Sequence, residues 1–179
     1  MRTNLHRYFA ASQRISGALI SFRKEGNSMK LAEALQERAD LNRKIEELRR
    51  RLGNVILIQE GEEPAEDPAR LLLELNASVD RLEKLMAAIN LTNGCTKAGG
   101  MTLTELIAKK DTLLLKLSAY RDLVYSAGQS TNRARGTEIK VKATLKASDL
   151  QREADQISKE VRQLDNLLQE TNWSTTLIE

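Results

Sequence analysis

Leu150-Gln151-Arg152-Glu153-Ala154-Asp155-Gln156-Ile157-Ser158-Lys159-Glu160-Val161-Arg162-Gln163-Leu164-Asp165-Asn166-Leu167-Leu168 is the stretch whose spacing decides the fold. Leu150, Ala154, Ile157, Val161, Leu164 and Leu168 alternate steps of four and three, and the residues between them are mostly charged or amide. That is a heptad: a helix with one narrow apolar seam, made to lie along another helix. Ser148-Asp149-Leu150-Gln151 reads as its capping box. The helix is expected to end near Asn172-Trp173, with Trp173 as a packing anchor.

Three more helices follow from the same periodicity. A first is expected from about Leu31 to Leu52, with Leu31, Ala34, Leu41, Ile45, Leu48 and Leu52 on its seam, Arg38 in the one polar gap, and a stop at Gly53-Asn54. A second starts at Asp67 as N-cap with Pro68 in the first turn and runs to about Asn90. Its stripe, which includes Leu71, Leu72, Leu75, Val79, Leu82 and Met86, is broader, so deeper burial is expected of it. Asn90 through Gly100 reads as a loop holding Cys95, and Thr102-Leu103-Thr104-Glu105 as the capping box of a third helix reaching Gly128. Helices two and three are expected to bury their broad faces against each other; helices one and four, with narrower seams, suit coiled-coil partners.

Two stretches break the helical pattern. Val55-Ile56-Leu57-Ile58-Gln59 is a short β-branched run, and Glu138 through Leu145 alternates apolar and polar residues. A lone strand leaves its ladder groups unpaired, so 55–59 is expected to pair with 139–144, within one chain or between chains. The fold class is therefore mainly α, four long helices in a bundle or coiled-coil arrangement with a small two-stranded β element. Charged residues at 30% with aromatics at 3% agree with that class.

The chain divides at Met29. Residues 1–28 carry Arg2, Arg7, Arg14, Arg23 and Lys24 against Glu25, a net of +4, while the whole chain is +3, so residues 29–179 carry −1. Lys24-Glu25-Gly26 back-translates to a purine-rich ribosome-binding sequence. The basic leader is thus read as a mis-called extension, the alternative being a genuine basic amphipathic helix that contacts membrane or partner, and 29–179 as a single helical domain starting at Met29. His6, the single histidine, lies in that leader, and Cys95 is the single cysteine. The body thus lacks the usual zinc ligands and the base that a nucleophilic thiol needs. It also shows no basic stripe, no interleaved aromatics and no apolar run of spanning length, so neither nucleic acid nor membrane is expected as a partner. Cofactors are expected to be none, and the compartment cytoplasmic.

Three constellations remain. Glu37 with Asp40, and Asp80 with Glu83, share helix faces three residues apart and are weak candidates for a divalent metal site of the kind all-α phosphohydrolases use. Bases interleave both pairs, which an ordinary charge-alternating surface also explains. Arg121, Asp122, Arg133, Arg135 and Glu138, with Lys140, form a candidate anion-binding cluster where helix three meets the second strand. Leu41, Ile45 and Leu48 on helix one, and Ile157, Val161 and Leu164 on helix four, are the candidate interface residues.

Met29-Lys30-Leu31-Ala32-Glu33-Ala34-Leu35, Ile89-Asn90-Leu91-Thr92-Asn93, Arg121-Asp122-Leu123-Val124, Glu138-Ile139-Lys140 and Glu170-Thr171-Asn172-Trp173 together resemble the small bacterial septicolysin-like family. The resemblance spans Met29 through Leu177 and implies no catalytic residue; the cytolysin its name suggests has no spanning segment or pore-sized hairpin behind it. The reading is of a non-enzymatic helical oligomerisation or interaction protein, a homo-oligomer open to a further protein partner. The other reading is an all-α metal-dependent hydrolase of a phosphorylated small molecule.

Overall fold

The structure, a computed structural model, describes residues 28–129 and 142–178. Among these the chain is mainly α, with four helices and one two-stranded antiparallel sheet. They fall into two compact units: the described residues up to Thr92 together with Thr175–Ile178, and Asn93–Ser174.

The first unit is built on helices α1 (Leu31–Val55) and α2 (Pro68–Cys95). The Glu33 carboxylate accepts the backbone N–H of Lys30 at 2.7 Å and opens α1. Asp67 opens α2 as expected, its Oδ1 accepting the Ala69 N–H at 2.9 Å. The pairs Arg51–Glu66, Lys44–Glu74 and Arg81–Glu37 rise along one helix as they fall along the other, so the two run antiparallel. Leu48, Val55 and Leu71 form the buried cluster between them, with Leu52 and Leu75 against it. The chain end closes the unit. Leu31 N–H donates to the Thr175 carbonyl and Leu177 N–H to the Met29 carbonyl, both at 2.9 Å, and Lys30 bridges Thr176. Ile178 N–H donates to Oγ1 of fully buried Thr92, whose hydroxyl donates in turn to the Ala88 carbonyl.

Two expectations fail here for one reason. Helix α1 does not stop at Gly53; Gly53 keeps a negative φ and the helix runs on to Val55, whose side chain belongs to the buried cluster. The strand expected at 55–59 is absent, and Ile56 and Leu57 stand 65% and 86% exposed. β-branched residues favour a strand only where a neighbour completes the ladder. Of the expected partner, 139–141 lie outside the described residues and 142–144 form no strand.

In the second unit the β element is a hairpin, β1 (Lys97-Ala98) with β2 (Met101-Thr102), register Lys97↔Thr102 and Ala98↔Met101. Gly99 at φ +57 and Gly100 at φ +85 supply the two left-handed residues that such a tight turn requires. The stretch expected as a loop is thus mostly helix: α2 continues through Gly94 to Cys95, and the turn takes four residues' backbone after it. Helix α3 (Leu103–Gly128) begins at the expected box, Glu105 N–H donating to Thr102 Oγ1 at 3.2 Å and Thr102 N–H to Glu105 at 2.7 Å. Helix α4 (Ala147–Ser174) starts one residue before Ser148, which leaves Ser148 in the first turn. The Lys146 carbonyl closes that turn, accepting from Asp149 and Leu150.

The heptad of residues 150–168 is packed on α3. Leu117, Ala154 and Ile157 are its buried centre, with Leu113, Tyr120 and Val161 against them. Burying a side chain such as Leu117 or Ile157 stabilises by about 2 kcal/mol. Lys110 near the start of α3 pairs with Asp165, and Leu117 farther along packs on Ala154 and Ile157 nearer the start of α4, so these two helices are also antiparallel. Trp173 is not the expected anchor: it stands 67% exposed at the end of α4.

Candidate functional site

The candidate interface residues are placed first by packing. Leu48 is buried against α2, with Leu41 and Ile45 half-buried along the same seam. Ile157 and Leu164 are buried and Val161 half-buried on the α3 side of α4. Leu48, Ile157 and Leu164 are thus occupied inside each unit, whereas Leu41 and Ile45 keep part of their surface open.

What stays open is a second line on α2. Leu71, Ser78, Leu85 and Thr92 are buried, one heptad apart, on the side that meets α1. Leu72, Val79 and Met86 repeat at the same interval one residue on, yet are 50%, 45% and 45% exposed. Between the two lines lie half-buried Leu75 and Leu82. The breadth of the stripe therefore marks a second apolar surface rather than deeper burial, which corrects the expectation for helix two. Its signal was in the sequence: Leu72-Leu75-Val79-Leu82-Met86 steps by three and four like any seam.

The electrostatics of the α1/α2 pair lie on another edge. Arg81 grips Glu37 through two parallel bonds of 2.7 and 2.8 Å, and Lys44 meets Glu74 at 2.8 Å. The Lys44 hydrogen bond holds the Glu74 carboxyl below the usual carboxylate range, and Arg51 does the same for Glu66. In the second unit Lys110 lowers Asp165 likewise. All of these groups are about a third or more exposed, so water screens each pair and it adds little to stability.

The metal candidates divide. Glu37 is committed to Arg81, and Asp40 accepts from Arg43 and Gln36, the Arg43 contact lowering its pKa. Asp80 and Glu83 sit exposed on α2. Among the described residues no group of three or more His, Cys, Asp or Glu side chains gathers where it could hold a metal ion. Of the anion cluster, Arg121 and Asp122 are exposed on α3, while Arg133, Arg135, Glu138 and Lys140 lie outside the described residues.

Two clefts stand out among the described residues. One, about 330 Å³, lies between the end of α3 and the start of α4, with Leu123, Ala127, Leu145 and Leu150 in its wall. The other, about 430 Å³, lies between α2 and the chain end, lined by Leu85, Ala88, Leu91, Leu177 and Ile178 with Arg81 and Lys84 at its rim. Ser126, Thr144 and Lys142 also line the wall of the first. No helix among the described residues is long and apolar enough to cross a membrane.

Comparison with known proteins agrees with a fold seen before and an undefined activity. The chain is similar to a crystal structure described as a functionally unknown conserved protein from Corynebacterium diphtheriae, at 40% identity and a TM-score of 0.78, over 85% of this chain and 100% of that one. No curated protein matches the sequence. A family profile matches residues 38–177, and it is not that of the septicolysin-like proteins; the resemblance drawn from short peptides is overturned. The structure shows why those peptides misled. Arg121-Asp122-Leu123 and Trp173 lie on exposed helix surface, where short charged and Leu-containing strings recur in unrelated helices. By that match the chain belongs to DUF6847, a family of unknown function.

Proposed function

We propose that this is a non-enzymatic helical protein of the cytoplasm that works by assembly, presenting apolar helix surface to a protein partner, copies of itself included. The observation that carries the reading is the Leu72, Val79 and Met86 line. It is half exposed on a helix whose adjoining line is packed, and it keeps the seven-residue interval of a helix-to-helix seam. Apolar surface gathered in a line, rather than scattered singly, is what partner-binding helices present. The lone exposed thiol, Cys95, suits a reducing compartment. The carboxylates that would serve a metal-dependent hydrolase are partly used in ion pairs, and nothing in the geometry favours that alternative.

Light scattering in line with gel filtration, on the full chain over a hundredfold range of concentration, tests the proposal. A mass above the 20.1 kDa of one chain that rises with concentration is expected. A mass of one chain throughout, with no partner retained by the native protein, would overturn it.

A further inference from the structure

We propose that the occupant of the open α1/α2 face is a second copy of this chain, packed about a two-fold axis that runs along the helices, so that α1 of each copy lies on α2 of the other. This rests on the assembly reading above and names its surface and partner. The face is one-sided. Leu52 and Leu75 pack on the buried cluster from it, and Leu41, Ile45, Leu72, Leu82 and the rest of the exposed line continue it along both helices.

Charge selects the partner and its orientation. Arg38 occupies the polar gap in the α1 seam, on the same face as Leu41 and Ile45. Asp80 and Glu83 edge the other side, since Glu83 lies four residues after Val79 and three before Met86. All three are exposed, and none makes an ion pair among the described residues. The Glu37–Arg81 contact sets their level: Arg38, next to Glu37, stands beside the turn that carries Asp80 and Glu83. The face therefore has a basic edge and an acidic edge at one height. A two-fold axis along the helices keeps heights and exchanges edges, so Arg38 of each copy meets Asp80 and Glu83 of the other. An axis across the helices would set Arg38 against Arg38 and Glu83 against Glu83. Like charges brought together that way are disfavoured.

Sedimentation velocity on full-length variants decides. The native chain is expected to dimerise, and Val79→Glu to sediment as a single chain with unchanged helicity, because Val79 is 45% exposed and outside the packed seam. Arg38→Glu should weaken the dimer about tenfold, and adding Glu83→Arg to it should restore most of that loss. A Val79→Glu dimer of native strength would overturn the proposed face while leaving assembly intact. Failure of the charge exchange to restore would overturn the two-fold arrangement. A native chain that never exceeds one copy would overturn both this inference and the reading it rests on.

Discussion

Ile157→Ala removes three carbon atoms from the middle of the α3/α4 seam. Ile157 is 4% exposed and touches the cluster of Leu117 and Ala154. At about 0.8 kcal/mol for each buried carbon, the lost transfer energy is roughly 2.5 kcal/mol. The residual void adds about 24 cal/mol per Å³. Leu113 and Val161 are only half-buried and can lean toward the gap, so the void should stay near 30 Å³ and add under 1 kcal/mol, for a total of about 3. Leu114→Ala is the control: 42% exposed on the neighbouring line of α3, it should cost about 1 kcal/mol or less. Urea denaturation followed by far-UV circular dichroism reads both. A loss under 1 kcal/mol at Ile157, or one that vanishes on dilution, would refute the account, since it would mean that another chain rather than α3 closes this seam.

Asp67→Ala should cost about 1 kcal/mol by removing the acceptor for the Ala69 N–H, and Asp67→Ser should recover most of it; equal melting of all three chains would count against the cap. Two glycines should respond oppositely. Gly100→Ala forces a side chain to φ +85 and should destabilise by about 1 kcal/mol, whereas Gly94→Ala, helical with open space around it, should stabilise by up to about 1 kcal/mol. The carboxyls of Asp165, Glu74 and Glu66 have pKa values lowered in the folded state below the ordinary 3.8 and 4.5. Their contribution is therefore complete above about pH 5 and is lost as pH falls through the lowered values. The urea midpoint should be flat down to that point, fall below it, and fall less at high salt; a midpoint flat to pH 3 would contradict the sign.

Helix periodicity was legible almost everywhere because each seam has a heptad that only a helix can use. The cap at Asp67 and the box at Thr102 were legible too, since they depend on residues three apart and on little else. What was not legible depended on partners distant in sequence. Val55 joins a helix because Leu71 is there to bury it, and Ile56 through Ile58 form no strand because no described ladder receives them. The hairpin at Gly99-Gly100 was read as plain loop, although two adjacent glycines between short polar stretches are a known turn signal. Seam partners could not be chosen either. Four helices of similar period give several pairings of nearly equal merit, and the selecting detail was ion-pair register, such as Lys110 with Asp165. The candidate surface was present in the residues as the Leu72, Val79 and Met86 line, but burial and exposure have the same period on one helix, and the sequence does not separate them.

The central claim is that the outer line of α2 is covered by another copy. Its most direct test uses the Val79→Cys variant of the full chain and the rate at which a thiol reagent modifies it. Exposed Cys95 serves as the internal reference. The introduced thiol is expected to react freely in dilute solution and about tenfold more slowly at high chain concentration, as burial in an interface requires, while Cys95 keeps one rate throughout. A rate at position 79 that does not change with concentration would contradict it.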